Sequence, residues 1–340
     1  MRILYVSIHE ILEYDEVRLL TALGHQVFPL GYHHLRGAPI GGMRPLLDLG
    51  PEHAELQDRF EAMGCRYDVF DPLDGTVLTP EFVALFDLTI IMMNPYFAHR
   101  FAPALSVRPV VLRTIGQGLD VWEGEYAALR QWGVRILRYA EVEALQPGYA
   151  GADGLIRFYK DPDDFPPWRG DTPSVLSFAA NFAERYPEQF ALWSEATEGL
   201  PALLGGPGNP DGMGRVAPAE QAELLAGCRA YFYCSGLALP YTLNFIEAWM
   251  SGIPLVVMDE ALLPRAHRYS EIARLITPGQ DALLARSPTE ARIMLQGLIA
   301  DPVAGARIGA AGRRAASMYF GRAAIAGQWR KLLGEIVAAV

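Results

Sequence analysis

The sequence predicts an α/β protein made of two doubly wound parallel-sheet domains. Short apolar strands alternate with helices of amphipathic spacing along most of the 340 residues, which is the pattern of helices packed on a mostly parallel sheet. A stretch rich in proline and glycine at residues 140–173 interrupts this alternation. We therefore predict a first domain at residues 1–165, a second at 170–320 and a last helix at 321–340.

The first domain begins with a βαβ unit. Residues 2–7 and 26–30 are apolar strands, and residues 11–23 have helical spacing that ends at Gly24. This arrangement predicts a parallel sheet with a right-handed crossover. Residues 31–50, rich in glycine, histidine and proline, are predicted to form a long loop. Further strands are predicted at 67–70, 88–93, 109–113, 134–139 and 155–159, and helices at 52–63, 80–86 and 120–132.

The second domain repeats the alternation after the linker. A glycine-rich loop at residues 205–209 follows one of its predicted strands, and glycine there lets the backbone approach a ligand closely; a flexible turn is the alternative interpretation. Strands are predicted at 174–178, 202–204, 231–233 and 255–258, and helices at 188–195, 219–226, 242–251, 260–274, 289–299, 303–319 and 323–340.

The stretch from Leu239 to Asp259 is the most informative in the chain. Thr242 and Asn244 stand where a helix begins, Gly252 suits its left-handed cap, and an apolar strand follows. Strand, loop and helix in this order place a helix N-terminus at the carboxyl edge of a sheet, where free amides and the helix dipole attract phosphate. Glu247 lies within this apolar helix, either as a ligand of two neighbouring hydroxyls or on a solvated face.

This stretch resembles the donor-site helix of the retaining nucleotide-sugar glycosyltransferases of the GT-B fold, in the family 4, or group 1, type. Their motif runs Glu, seven residues, Glu-Ala, three residues, Gly-x-Pro. The second half is intact from Glu247 to Pro254, whereas the leading Glu is replaced by Leu239. The resemblance implies two Rossmann-like domains facing across a cleft, and a last helix that crosses back to the first domain.

The resemblance also implies a donor site in the second domain. Glu247 would hold the ribose hydroxyls. Arg185 is the best cation for the departing diphosphate, because Asn181 stands where the family has an arginine, and a surface arginine is the alternative interpretation. The predicted nucleotide-sugar contacts are Asn181, Gly206, Gly208, Arg215, Val216, Tyr241, Thr242, Leu243, Asn244 and Glu247.

On the acceptor side, polar residues follow three predicted strands of the first domain. Open parallel sheets bind ligands at the carboxyl ends of their strands. His9 and His99 lie at such ends and are our candidates for orienting a hydroxyl or acting as a base. A loop cap or a solvated side chain is the alternative for each residue taken alone.

The composition excludes several classes of function. A net charge of -10 and only two lysines, Lys160 and Lys331, argue against a broad nucleic-acid face. The three cysteines have irregular spacing, so we expect reduced thiols in a cytoplasmic protein. No run approaches the roughly 20 apolar residues of a membrane span. Asp161 and Asp163 form an Asp-x-Asp pattern, but Asp-Pro favours a turn there, and we expect no metal.

The sequence therefore predicts a hexosyltransferase-type enzyme without a cofactor. It would move a sugar from a UDP or GDP donor to an unidentified glycan, lipid-linked or small-molecule acceptor, with modified DNA less favoured. By resemblance it would retain the anomeric configuration. Two alternatives remain open, namely a non-catalytic sugar-nucleotide binding protein, in which Leu239 marks the lost carboxylate, and a GT-B-like sugar-nucleotide epimerase.

Overall fold

The computed structural model describes residues 1–34, 41–116, 121–209, 211–234, 239–262 and 269–338. The chain forms two compact units, of which the first comprises Met1–Tyr159 with Arg322–Val340 and the second comprises Lys160–Gly321. Each unit holds one parallel sheet with helices, so the predicted α/β class with two Rossmann-like units is confirmed. None of the described helices is both long enough and apolar enough to cross a membrane.

The sheet of the first unit has six strands in the order β2-β1-β3-β4-β5-β6, and all its pairs are parallel. Its strands are β1 (Arg2–Ser7), β2 (Gln26–Leu30), β3 (Leu88–Met92), β4 (Val110–Arg113), β5 (Arg135–Arg138) and β6 (Gly154–Leu155). Its helices are α1 (Glu10–Ala22), α2 (Gly50–Ala62), α3 (Pro80–Val83), α4 (Pro95–Arg100), α5 (Ala102–Leu105) and α6 (Glu123–Gln131), with a 3-10 turn at Glu141–Leu145.

The sheet of the second unit has five strands in the order β11-β10-β9-β7-β8, again all parallel. Its strands are β7 (Thr172–Phe178), β8 (Ala202–Gly205), β9 (Cys228–Tyr233), β10 (Leu255–Met258) and β11 (Leu283–Ala285). Its helices are α7 (Phe182–Arg185), α8 (Pro187–Thr197), α9 (Pro218–Gly227), α10 (Leu243–Ser251), α11 (Ile272–Leu275), α12 (Pro288–Ala300) and α13 (Pro302–Phe320), with 3-10 turns at Pro162–Asp164 and Glu260–Leu262.

The last helix, α14 (Arg322–Val337), belongs to the first unit. Trp329 is fully buried, and its indole Nε1 donates to Glu16 Oε1 at 3.2 Å. Arg113 forms a buried ion pair with the other oxygen of Glu16 at 2.9 Å and lies over the Trp329 ring. The last helix is therefore packed against a buried carboxylate that α1 supplies.

Three predicted elements are wrong, for identifiable reasons. No strand forms at residues 67–70, because Asp68 accepts from the Phe70 amide and turns the chain, while Tyr67 donates to the Ser7 carbonyl. The predicted strand at 155–159 pairs only at β6, after which Phe158 stacks on Tyr139 with ring centres 4.4 Å apart. The predicted helix at 260–274 is a 3-10 turn at its start and α11 at its end, and residues 263–268 lie outside the described residues.

Candidate functional site

The N-terminus of α10 is fixed to the carboxyl ends of two strands. Thr242 is the N-cap, its hydroxyl accepts from the Phe245 amide, and its Oγ1 lies 3.0 Å from the Tyr233 hydroxyl at the end of β9. Asn244 Nδ2 donates to the Phe178 carbonyl, the last residue of β7. Leu243 and Asn244 come before the first intrahelical bond, which runs from Ile246 to Thr242. Their amides therefore have no partner within the helix and can donate to a bound anion.

The loops after β7 and β8 are locked to each other beside this helix end. Asn209 is buried, and its Nδ2 donates to the carbonyls of Ala179 and Gly206 at 2.7 and 2.9 Å. Its Oδ1 accepts from the Phe182 amide at 2.9 Å. One side chain therefore holds both loops, and the predicted glycine loop has a fixed path.

Asn181 and Gly208 meet at the centre of these loops. Asn181 has a left-handed backbone with φ of 50°, and its amide donates to the Pro207 carbonyl at 2.7 Å. A Cβ on Gly208, where φ is 76°, would lie 1.6 Å from Asn181 Oδ1. A Cβ on Gly206 would lie 2.4 Å from the Ala179 carbonyl oxygen. These glycines are required by close packing of the two loops as well as by backbone conformation.

The C-terminal end of α10 packs against α13. Gly252 caps the helix with φ of 82°, as predicted for a left-handed cap. A Cβ on Gly309 of α13 would lie 1.9 Å from the Gly252 carbonyl oxygen. Trp249 Nε1 donates to the Asp281 carbonyl at 3.1 Å. The close approach of the two helices therefore fixes the position of α10 relative to the strand ends.

Glu247 lies one turn inside α10, and its side chain is 6% exposed. Its Oε1 lies 2.7 Å from Lys160 Nζ, and its Oε2 accepts from Gln221 Nε2 on α9 at 2.7 Å. Lys160 is equally buried, at 2% exposure. The solvated-face interpretation of Glu247 is therefore wrong. A buried carboxylate is costly unless it is paired and hydrogen-bonded, and both conditions are met here.

Two further ionisable groups lie close to the strand ends. Tyr231 is buried in β9, and its hydroxyl accepts from the Phe178 amide at 3.1 Å. Burial raises the pKa of Tyr231 well above its ordinary value, and the nearby Tyr233 and Glu247 raise it further. Glu260 follows β10, and burial raises its pKa to about 7, opposed by a hydrogen bond from Ser270. Both groups are therefore neutral or partly neutral near pH 7.

The remaining predicted donor residues are not all brought together. Arg185 ends α7 with its side chain exposed over the Tyr186 ring, 5.2 Å from the ring centre. Arg215 is exposed and Val216 half-buried next to Gly205. Tyr241 is 2% exposed and packs edge-on against Phe320, so its side chain belongs to the core. The predicted donor residues with positions fixed by contacts at the site are those of the α10 N-terminus, the glycine loop, Asn181 and Glu247.

In the first unit, the two histidine candidates have structural partners. His9 is the N-cap of α1, and its Nδ1 accepts from the Leu12 amide at 3.4 Å. His99 lies on α4, with Nε2 3.0 Å from Glu125. The sequence interpretation missed two buried carboxyl groups of α1 that accept from backbone amides after β2. Glu10 accepts from the Met43 and Arg44 amides, and Glu13 from those of residues 32–33.

The structure also adds residues in the second unit that the sequence interpretation missed. Lys160 lies in the proline-rich stretch, 87 positions before Glu247, so sequence spacing does not connect them. The only sequence signal for Lys160 was that lysine is rare in this chain, which has two. Gln221 and Asn209 give no motif signal. Among the described residues, no group of three or more His, Cys, Asp or Glu side chains is arranged to hold a metal ion.

Comparison with known proteins finds a family model that matches part of the chain and solved structures of similar fold. Residues 180–329, which contain the α10 site, match the family model described as glycosyl transferase-like. Comparison with curated protein sequences gives no match. HepE from Anabaena in complex with UDP and glucose has a similar structure, with a TM-score of 0.62 at 14% identity over 98% of this chain and 99% of HepE.

Two further structures have the same fold. A glycosyltransferase from Rickettsia africae ESF-5 gives a TM-score of 0.67 at 10% identity, with 99% of this chain and 98% of that chain covered. A TarM variant from S. aureus gives a TM-score of 0.56 at 11% identity, with 72% of this chain and 55% of that chain covered. The chain therefore has the GT-B fold, and the segment that carries the α10 site is the one that matches a glycosyl transferase-like family.

Proposed function

We propose that the protein is a glycosyltransferase that moves a hexose from a nucleoside-diphosphate sugar to an acceptor bound by the first unit. The observation that carries this proposal is the pairing of an open helix N-terminus with a buried carboxylate one turn further along α10. The amides of Leu243 and Asn244 suit a diphosphate, and Glu247 suits two neighbouring ribose hydroxyls. The solved HepE complexes with UDP or UDP-glucose support a nucleotide-sugar donor.

The finer features of the reaction follow from the sequence resemblance. We infer transfer with retention of the anomeric configuration and without a metal ion, in the cytoplasm. Arg185 is the proposed cation for the departing diphosphate, because leaving-group charge grows in the transition state. Product anomers resolved by proton NMR test retention, and activity that is unchanged by EDTA tests metal independence.

Titration with UDP and GDP side by side, followed by donor hydrolysis, tests the proposal. We expect one nucleotide to bind and its sugar conjugate to be turned over. Glu247→Gln is expected to weaken nucleotide binding by about 1.5–3 kcal/mol, because it removes charge-assisted hydrogen bonds. Glu335→Gln on the last helix, a carboxylate with an exposed position, is the matched control and should leave affinity unchanged. An unchanged dissociation constant in the Glu247 variant would remove the ribose assignment.

A non-catalytic sugar-nucleotide binding protein is the second candidate. Leu239 favours it, because it replaces the carboxylate that contacts the donor sugar in the enzymes this chain resembles. The same titration separates the two functions: tight binding of a nucleotide sugar without hydrolysis or transfer, across several donors, indicates the binding protein.

A further inference from the structure

We propose that Lys160 is a positioning residue of the donor site, which keeps the Glu247 carboxylate ionised and fixed in orientation for the ribose. This inference rests on the proposed function, and it concerns a residue that neither motif nor resemblance singles out. Lys160 is buried, and its Nζ lies 2.7 Å from Glu247 Oε1.

The burial of Glu247 creates the need for a cation. A carboxylate without a positive partner in an apolar helix is neutralised by taking a proton. A protonated carboxyl group turns one of its oxygens into a donor and accepts two hydroxyls poorly. Lys160 supplies the positive charge that favours the ionised form, so the carboxylate can serve as a double acceptor.

Two neighbours fix the plane of the carboxylate. The cationic Lys160 ammonium donates to Oε1, and the neutral Gln221 Nε2 donates to Oε2 at 2.7 Å, so each oxygen has its own donor. A further ionisable group near Glu247 is Tyr231 of β9, whose pKa the charge of Glu247 helps to raise. Lys160 is a cation in direct contact with the Glu247 carboxylate, so its removal should change the charge state of the site.

The backbone of Lys160 is held as well. Its amide donates to the Phe320 carbonyl, at the end of α13, at 3.0 Å. Arg313 on the same helix donates to the carbonyls of Pro162 and Phe165, a few residues after Lys160. The ammonium group is consequently presented to α10 from a fixed segment, which lowers the entropy cost of holding the pair.

The test is calorimetric titration of Lys160→Met with the nucleoside diphosphate that the wild-type protein binds, from pH 5.5 to 8.5. The terminal phosphate of the ligand itself titrates near about pH 6, so the affinity of the variant is compared with that of the wild type at each pH. Relative to wild type, the affinity of the variant should fall by about tenfold or more at pH 6 and recover as the pH rises, because the carboxyl group without its cation then loses its proton. Lys331→Met, at the exposed second lysine of the chain, is the matched control and should behave as wild type.

A double-mutant cycle separates positioning from a merely structural role. If Lys160 acts through Glu247, then Lys160→Met should cost no further affinity in the Glu247→Gln background. Lys160→Met with wild-type affinity at every pH, or additive losses in the cycle, would overturn the inference. Should Lys160→Met not fold, Lys160→Arg retains the charge and must follow the wild-type pH profile. A ratio of its affinity to that of the wild type that changes with pH would overturn the inference. Failure of the proposed function looks different, since the wild-type protein itself would then bind no nucleoside diphosphate.

Discussion

At the scale of single residues, the chain places buried carboxyl groups in two different environments. Glu247 has a lysine and an amide side chain as partners. Glu13, fully buried in α1, accepts from two backbone amides at 2.8 and 2.9 Å. Burial outweighs these two bonds and raises the pKa of Glu13 to about 8. Glu13 should therefore make folding sensitive to pH.

The free energy of unfolding should fall as pH rises through the region of the Glu13 pKa. The folded state holds this proton up to about pH 8, whereas the unfolded state releases it near 4.5. The unfolded state thus binds fewer protons, and stability decreases with pH in that window. Between pH 7 and 8 we expect a loss of about 1 kcal/mol.

Urea unfolding of the wild type and of Glu13→Gln at both pH values measures this effect. The variant keeps a neutral side chain of similar shape, so the loss between pH 7 and 8 should disappear. An equal loss in both proteins would show that another group titrates in that range.

At the scale of elements, the contact between α10 and α13 positions the donor site. The glycines at 252 and 309 bring the helix backbones so close that no side chain fits between them. Thr242 and Asn244 then fix the other end of α10 to the strands β9 and β7. A helix held at both ends keeps its first-turn amides in place without a ligand, which reduces the cost of binding.

Gly309→Ala should therefore weaken both folding and nucleotide binding. Its Cβ would lie 1.9 Å from the Gly252 carbonyl oxygen, so α10 must shift. We expect a loss of about 1–3 kcal/mol in unfolding free energy, as for other overpacked sites. Urea unfolding and nucleotide titration measure the two effects.

Gly297→Ala on α12 is the matched control. No atom lies within 4 Å of its added Cβ, and it lies inside a helix. Alanine there should stabilise the protein by up to about 1 kcal/mol. If both alanine variants had the same stability and affinity, the α10–α13 contact would not set the position of the site.

At the scale of the whole molecule, each unit has its own core, and the last helix belongs to the first. Trp329→Ala should destabilise the first unit by about 3–5 kcal/mol, because it empties a large buried site and removes a partner of Glu16. Hydrogen exchange measured by peptide should show protection lost in 1–159. Equal loss in 160–321 would contradict the assignment of α14 to the first unit.

The sequence predicted the fold class and the donor helix because both have local signals. The strands of both sheets are apolar runs, and α10 has its cap residues and terminal glycine in the chain itself. Lys160 was missed because its partner is distant in sequence and because linker composition suggested a loop. The strand at 67–70 was overpredicted, since Tyr67 and Val69 are buried in a turn that Asp68 stabilises while Phe70 is exposed. Prediction from the sequence was therefore limited by side-chain pairs that are distant along the chain and by side chains that stabilise local turns.

A crystal structure with bound UDP or GDP tests the central claim most directly. We predict diphosphate oxygens within hydrogen-bond distance of the Leu243 and Asn244 amides, and both ribose hydroxyls on Glu247, with Lys160 still in contact with that carboxylate. A nucleotide bound away from α10, or ribose hydroxyls that do not reach Glu247, would contradict the account.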